Sequence, residues 1–170
     1  MRQPQADARG FLSRLFCVDE LAVAGWRKPI AQINHTYTKK LGTVRGMHYQ
    51  NTPHAEMKLV SCIRGEVFDV VIDLRAGSPT FLKWHAEILS AENGRALLIP
   101  EGFAHGFQTL TDGCNMVYLH TASYAPDSQA GIRVDDPLIG ITWPLAVAEI
   151  SLRDREHPLL TPQFKGMDIP

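Results

Sequence analysis

Short runs of apolar and β-branched residues, separated by tight-turn signals, dominate the chain from Ile30 onward. Dipeptides such as Asn93-Gly94 and Asp112-Gly113 favour the turns that connect antiparallel strands. The pattern predicts eight strands, at residues 30–37, 43–50, 58–63, 67–74, 83–89, 96–99, 105–109 and 115–121. Short strands bounded by turn residues at this spacing indicate an all-β sandwich or barrel closed by antiparallel pairing.

The segment before these strands carries a helical signal. Residues 7–10 form a predicted turn, and residues 11–16 a predicted strand. Asp19 is a favoured helix N-cap, and Gly25 is a favoured stop, so residues 20–24 are predicted to form a short N-terminal helix.

The pattern loosens after Tyr124, where prolines exclude long helices and central strands. These prolines are Pro126, Pro137, Pro144, Pro158, Pro162 and Pro170. The alternating apolar residues Ile139, Ile141, Trp143 and Leu145 need a surface to cover them. We therefore expect an irregular, proline-rich C-terminal wrap over the barrel.

Length and charge limit the classes of function. A chain of 170 residues suits one domain over residues 1–170, and its net charge of −1 gives no reason to expect nucleic acid as a partner. No apolar run is long enough to span a bilayer, and the polar start lacks the apolar core of a signal peptide. Three cysteines without CxxC spacing favour a reduced, cytoplasmic protein.

The stretch from Gly42 to Gln50, followed by Lys58, contains several residues whose side chains can take part in catalysis or in phosphate binding. Strand alternation predicts that Arg45 faces one side of the sheet and His48 the other. A histidine transfers protons near neutral pH, a lysine stabilises an oxygen that is becoming negative, and an arginine matches phosphate oxygens. Together they indicate proton chemistry on a phosphorylated carbonyl compound.

Ten segments resemble the dTDP-4-dehydrorhamnose 3,5-epimerase family, whose members are cupin-type jelly rolls. The segments are DARGF (7–11), VRGMHYQ (44–50), KLV (58–60), RGEVFDV (64–70), GSPTF (77–81), LSAEN (89–93), IPEGFAHGF (99–107), DDP (135–137), GI (140–141) and WPL (143–145). The resemblance covers nearly the whole chain in the family's order.

The resemblance implies an isomerase that acts on a nucleotide-linked 4-keto-6-deoxy sugar. The ketone acidifies the C–H bonds at C3 and C5, a base removes a proton, and an acid returns one to the opposite face of the enolate. No cofactor is needed. The resemblance also implies a homodimer in which the N-terminal strand near Arg9 reaches the partner's sheet and pocket.

Four residues match the family's catalytic positions. His48 matches the base, and Asp154 matches the carboxylate that fixes its tautomer. Lys58 matches the lysine that faces the C4 oxygen, and Tyr118 matches the acid on the opposite face. Tyr124 is a rival for the acid, but its position beside Pro126 favours the mouth of the pocket.

The substrate-binding positions follow from the same resemblance. Arg9, Gln32 and Arg45 match residues that hold the nucleotide and its two phosphates, and His105 matches a histidine next to the sugar. The full predicted set is Arg9, Gln32, Asn34, Arg45, Lys58, His105, Tyr124, Gln129 and Arg153, with no metal ligand among them.

Two other functions stay open at this point. Residues 100–105 fit the second half of a metal-cupin pattern, but His48-Tyr49-Gln50 departs from the His-x-His of the first half, and glutamine is a poor ligand beside imidazole. A metal-dependent isomerase or oxygenase is thus a minor alternative, and a sugar-nucleotide-binding cupin without chemistry is another.

The chain also departs from the family pattern at several positions. Arg14 and Gln129 stand where the family has glutamates, and His54 and Glu56 replace small polar residues before the lysine. Three possibilities therefore stay open. The protein is expected to be a 3,5-epimerase, a single-centre 3- or 5-epimerase of a deoxysugar pathway, or an enzyme that acts on a sugar carried by a nucleotide other than dTDP.

Overall fold

A computed structural model of the protein describes residues 2–169, so the predicted role of Pro170 in the wrap lies outside the described residues. The elements are β1 (Gln5–Asp7), β2 (Gly10–Leu12), α1 (Val18–Val23), β3 (Gln32–Thr38), β4 (Thr43–Gln50), β5 (Lys58–Arg64), β6 (Glu66–Asp73), β7 (Trp84–Ser90), β8 (Ala96–Ile99), β9 (Phe103–Thr109), β10 (Cys114–His120), β11 (Gln129–Gly131), β12 (Glu149–Ile150) and α2 (Leu152–Arg155). All eight strands predicted from residue 30 onward are present, with shifts at their ends.

Two sheets form the barrel. The smaller has the order β3-β10-β5-β8, and the larger has the order β11-β4-β9-β6-β7, with β12 joined in parallel to β4. Every other strand pair in these two sheets is antiparallel. The arrangement confirms the predicted all-β jelly roll. No helix in residues 2–169 is long and apolar enough to cross a membrane.

The main core lies between the sheets. Val60 and Met116 of the smaller sheet are completely buried in the same cluster as Val67 of the larger one. On the outer face of the smaller sheet, Trp26 from the segment after α1 packs on Leu59. The smaller sheet is thus covered on both faces around Leu59, whereas its edge strand β3 is largely exposed.

The outer face of the larger sheet is covered by the C-terminal segment, as predicted. Ile132, Val134, Ile139 and Met167 pack there with residues of β4, β6 and β9. Ile141 and Trp143 join them at the edge. Leu145 departs from the prediction: it is 38% exposed, and its backbone instead binds the buried side chain of Gln108.

The alternation predicted for β4 is wrong, because the strand contains a bulge. Arg45 pairs with Phe107 and His48 with His105, so β4 has one residue more than β9 between these pairs. Val44 and Met47 consequently share the outer core, and Arg45 and His48 both face the inner cleft. A bulge re-aims side chains in this way.

Two glycines permit the close approach of β4 and β9 at the bulge. Gly46 has φ +136°, and a Cβ there would lie 2.6 Å from the Cα of Gly106. A Cβ on Gly106 would lie 2.5 Å from the Met47 sulfur. Neither position has room for a side chain.

The N-terminal predictions need correction. The strand predicted over residues 11–16 is the three-residue β2, which forms a hairpin with β1. The helix α1 begins at Val18, two residues before the predicted start, so Asp19 lies in its first turn. Cys17 is the N-cap residue and makes no side-chain hydrogen bond to the helix. The acidic first turn, with Asp19 and Glu20, favours the helix through its dipole instead.

Candidate active site

An open cleft of about 740 Å³ is lined by side chains of β3, β4, β5, β9 and β10 and by the segment around α2. Every predicted site residue except Arg9 lines this cleft: Gln32, Asn34, Arg45, His48, Lys58, His105, Tyr118, Tyr124, Gln129, Arg153 and Asp154. The cleft is large enough for a ligand of the size of a nucleotide sugar.

The backbone brings Asp154 to His48 across 106 positions of sequence. Strand β12 pairs with the start of β4, and α2 follows β12 directly. Ser151 caps α2 by accepting a hydrogen bond from the Asp154 amide at 3.1 Å. Asp154 therefore points inward and is only 2% exposed, which excludes the alternative of a solvated aspartate in a charged tail.

Asp154 fixes the orientation of the His48 ring. The two residues make a 2.8 Å contact between His48 Nε2 and Asp154 Oδ1, and the Gly46 amide donates to Asp154 Oδ2 at 3.2 Å. Burial raises the pKa of Asp154, but the bonds from His48 and Gly46 outweigh it and hold that pKa well below its usual range. An ionised acceptor at Nε2 places the ring proton there and leaves Nδ1 as the basic nitrogen.

Lys58 shares a carboxylate with a second histidine. Its Nζ lies 3.2 Å from Glu56 Oε1, while His120 Nδ1 lies 2.8 Å from Glu56 Oε2. Burial raises the pKa of Glu56, but the His120 bond and the Lys58 charge lower it by more, so the carboxyl stays ionised. The three side chains are at most 10% exposed and line the cleft wall.

His105 belongs to a third imidazole–carboxylate pair. Its Nε2 lies 2.9 Å from Asp69 Oδ2, and both side chains are buried.

The metal-cupin alternative loses support, because the Gln50 side chain is already hydrogen-bonded to backbone groups. Gln50 donates to the carbonyl of His54 at 2.9 Å and accepts from the Ala125 amide at 2.7 Å, so it holds two loops.

Tyr118 is 8% exposed, and burial raises the pKa of its phenol well above the usual value. The phenol therefore keeps its proton at neutral pH. Thr36 Oγ1 lies 3.5 Å from the hydroxyl, and the ring lies between those of His105 and His120 at centroid distances of 6.0 and 6.1 Å. The rival acid, Tyr124, is 54% exposed at the cleft mouth.

The cleft mouth carries the polar residues predicted to hold the nucleotide. The Tyr124 hydroxyl donates to Gln129 Oε1 at 2.9 Å, and the Tyr124 amide donates to Gln32 Oε1 at 2.8 Å. Arg45 donates from Nε to Thr38 Oγ1 at 3.0 Å, which leaves its terminal nitrogens free of hydrogen bonds within residues 2–169. Arg153 adds a second guanidinium, 3.2 Å from His48 Nε2.

Arg9 is outside the cleft of its own chain. It is 89% exposed in its side chain and pairs with Asp7 at 2.6 Å in the turn between β1 and β2. That hairpin pairs with no other strand in the described part of the chain. Its predicted contact with substrate is therefore not made within this chain.

Sequence reasoning missed four residues that the structure brings to the site: Asp69, Glu56, His120 and His157. Glu56 was noted only as a departure from the family, and His120 lies two positions after Tyr118 and therefore on the same strand face. His157 follows α2, and its ring lies edge-on to that of His48 at a centroid distance of 5.7 Å. Strand periodicity could have indicated His120; the others depend on tertiary contacts.

Fold and cleft together define the class of the protein, which is a cupin-type jelly roll with an imidazole, a phenol and an ammonium group in one cleft. The family model for dTDP-4-dehydrorhamnose 3,5-epimerase matches residues 1–162, and the chain belongs to that family. A dTDP-4-dehydrorhamnose 3,5-epimerase from Sinorhizobium fredii is 42% identical over 160 residues, which cover 91% of this chain and 80% of that protein.

Solved structures agree with the family assignment. A dTDP-4-dehydrorhamnose 3,5-epimerase from Bacillus anthracis, with TDP and PPi bound, matches with a TM-score of 0.90 at 38% identity and covers 94% of this chain and 91% of that chain. A double mutant of a 3'-monoepimerase from Streptomyces bikiniensis, in complex with dTDP, has a TM-score of 0.86 at 33% identity, with coverages of 93% and 80%. The predicted family and fold are confirmed.

Proposed function

We propose that the protein epimerises C3, C5 or both carbons of a dTDP-linked 4-keto-6-deoxy sugar, as a single domain. One observation carries the proposal: an imidazole with a carboxylate-fixed proton and a buried phenol line the same cleft, with an ammonium group in its wall. This combination supplies a base, an acid and an oxyanion partner.

The reaction follows from these roles. His48 Nδ1 takes a proton from the carbon next to the ketone, and the electron pair of the C–H bond moves into the enolate. Lys58 donates a hydrogen bond to the enolate oxygen that forms. Tyr118 then gives its proton to the opposite face of the carbon, and solvent restores both residues. The ketone supplies the carbon acidity, so the proposed reaction requires no cofactor.

Spacing in a relative supports the pair of His48 and Tyr118. The Streptomyces bikiniensis double mutant carries one His→Asn and one Tyr→Phe change, 70 positions apart in that chain. His48 and Tyr118 are also 70 positions apart. The two residues that were changed together in that enzyme thus have counterparts at the same separation here.

The nucleotide end of the substrate is assigned to the cleft mouth. Arg45 and Arg153 supply the positive charge that a diphosphate requires, and Gln32 and Tyr124 supply neutral contacts. Gln129, in place of the family's glutamate, is bonded to Tyr124 and removes a negative charge from this region. TDP in the Bacillus anthracis structure supports a thymidine nucleotide.

We also propose a cytoplasmic homodimer formed through the β1–β2 hairpin. Every residue of the two strands is exposed, and Phe11 and Leu12 are 74% and 71% exposed. The strand β3, which carries Gln32 and Asn34, has one unpaired edge in residues 2–169 and is open to a further strand. A partner's hairpin at this edge would bring Arg9 towards the cleft. Sedimentation equilibrium giving a monomer mass at micromolar concentration would remove this part of the proposal.

The decisive experiment is incubation of the chelator-treated enzyme with dTDP-4-keto-6-deoxyglucose in deuterated water. Nuclear magnetic resonance then counts deuterium at C3 and at C5 and reports the configuration of each carbon. Inversion with deuterium at one or both carbons supports a single or double epimerase. Binding without exchange would instead support a non-catalytic binding protein, and exchange only after metal is returned would support a metal-dependent cupin.

A further inference from the structure

His157 carries a buried nitrogen that the proposed reaction does not use. Its Nε2 makes no hydrogen bond within residues 2–169. The nearest carboxylate oxygen, Asp154 Oδ1, is 3.9 Å away, which is too long for a hydrogen bond. Buried polar atoms normally have a hydrogen-bond partner, so a buried nitrogen without one is a candidate to bind a water or an ion. His157 therefore offers an uncommitted imidazole nitrogen beside His48.

His48, Asp154 and His157 each offer one ligand atom, and these atoms all lie within 4.8 Å of one another. Zn²⁺ holds nitrogen and carboxylate ligands at about 2.0–2.2 Å, which puts neighbouring ligand atoms a little over 3 Å apart. The observed separations from Asp154 Oδ1 are 2.8 Å to His48 and 3.9 Å to His157, on either side of that value. Small side-chain shifts bring the three atoms to coordination distance.

We propose that His48, Asp154 and His157 form a site for a borderline divalent cation of the Zn²⁺ type, and that the bound cation inhibits the enzyme. Two imidazoles and one carboxylate suit zinc or cobalt and do not suit magnesium or calcium, which prefer oxygen. The cation replaces the proton on His48 Nε2, which is released to solvent. The positive charge of the bound cation then opposes proton uptake at Nδ1. The inhibition rests on the proposed function, but the metal site does not.

Arg153 opposes the cation and sets the strength of binding. Its Nη2 lies 3.2 Å from His48 Nε2 and its Nε 3.3 Å from Asp154 Oδ1, so the guanidinium occupies the edge of the site. The side chain is 59% exposed and has room to turn towards solvent. We therefore expect that an Arg153→Gln substitution tightens metal binding, whereas removal of a ligand weakens it.

Gly131 provides the space for the third ligand. It pairs with His48 between β11 and β4, and a Cβ at this position would lie 2.3 Å from His157 Nε2. The φ of Gly131 is outside the left-handed region, so alanine is compatible with its backbone. Gly131→Ala therefore displaces the His157 ring without changing a ligand, and we expect it to weaken metal binding as well.

The test uses the full-length, tag-free chain after chelator treatment and dialysis. Co²⁺ is titrated in while the visible absorption of the metal is recorded, and Zn²⁺ is titrated in a calorimeter. The wild type is expected to bind one ion per chain. His157→Gln is expected to weaken binding by at least the roughly 10–100-fold that loss of a supporting partner costs. The matched control is His85→Gln, because His85 is 64% exposed on β7, away from the cleft, and pairs with Glu87.

The outcomes separate the metal site from the proposed function. Binding that is lost in His157→Gln and kept in His85→Gln supports the site. No uptake by the wild type, or equal uptake by His157→Gln, overturns it. In the epimerase assay, Zn²⁺ inhibition that chelation reverses, and that needs more zinc in His157→Gln, supports inhibition; insensitivity of the wild type overturns it. An enzyme without any exchange activity contradicts the proposed function, while the cobalt titration still decides the site.

Discussion

His48 illustrates how much of a residue's role is set by its contacts. A histidine on a strand is an ordinary structural donor, and the same residue with an ionised carboxylate at Nε2 is a base with a defined free nitrogen. Asp154 accepts from His48 and Gly46 at once, so its carboxylate is locked in place. The roles proposed for the two residues can be separated experimentally.

Asp154→Asn is expected to lower kcat by about 10²–10⁴-fold with little change in KM, because the amide keeps the shape but no longer supports the imidazolium. Steady-state epimerisation and calorimetric binding of dTDP measure the two effects. The control is Asp135→Asn, because Asp135 forms an exposed pair with Arg133. An Asp154→Asn enzyme with full turnover would contradict the role of Asp154 in supporting the His48 imidazolium.

Tyr118→Phe is expected to separate proton removal from inversion. The variant retains His48, so deuterium from solvent should still enter the substrate on the His48 face. It lacks the acid of the opposite face, so inverted product should fall by about 10²-fold or more. Nuclear magnetic resonance in deuterated water follows both signals in one sample, with Tyr124→Phe as the control. Normal inversion by Tyr118→Phe would exclude Tyr118 as the acid.

At the scale of elements, the cleft depends on a few local irregularities. The run of strands and turns after Ile30 was predictable, because alternation and turn chemistry are local signals. The bulge in β4 was not, because it results from the approach of Gly46 to Gly106 on a strand distant in sequence. Only the family resemblance predicted that Asp154 belongs to the site, because no local sequence pattern indicates that β12 pairs with β4.

The unpredicted network around Glu56 joins the loop before β5 to β10. Glu56→Gln removes the carboxylate that Lys58 and His120 share, and it leaves a buried ammonium group without its counter-charge. We expect a loss of about 1–3 kcal/mol in the free energy of unfolding, measured by urea denaturation. Lys58→Met in the same background should recover part of the loss. Strictly additive effects of the two changes would show that the residues do not interact.

At the scale of the molecule, the larger sheet is bound to its C-terminal cover near Asp73. This aspartate ends β6, is 1% exposed, and accepts hydrogen bonds from Arg75, Ser78 and Thr80. The same turn is held to the C-terminal segment by the Ala76 amide, which donates to the Met167 carbonyl at 2.9 Å. The wrap over the sheet therefore depends on a single buried carboxylate for part of its attachment.

That dependence predicts a specific acid sensitivity. Burial raises the pKa of Asp73, but the bonds from Arg75, Ser78 and Thr80 lower it by more, so the folded pKa lies below the unfolded value of about 4. A depressed folded pKa stabilises the protein above the unfolded pKa, and this stabilisation is lost as the pH falls below about 4 towards the folded pKa. Asp73→Asn should therefore cost most near pH 7 and progressively less below about pH 4. Urea midpoints across this range, with exposed Glu92→Gln as the control, measure the difference. A loss of stability in Asp73→Asn that stays constant with pH would show that Asp73 acts by packing. If the charge of the carboxylate matters, the loss must instead shrink as the Asp73 carboxylate of the wild type becomes protonated.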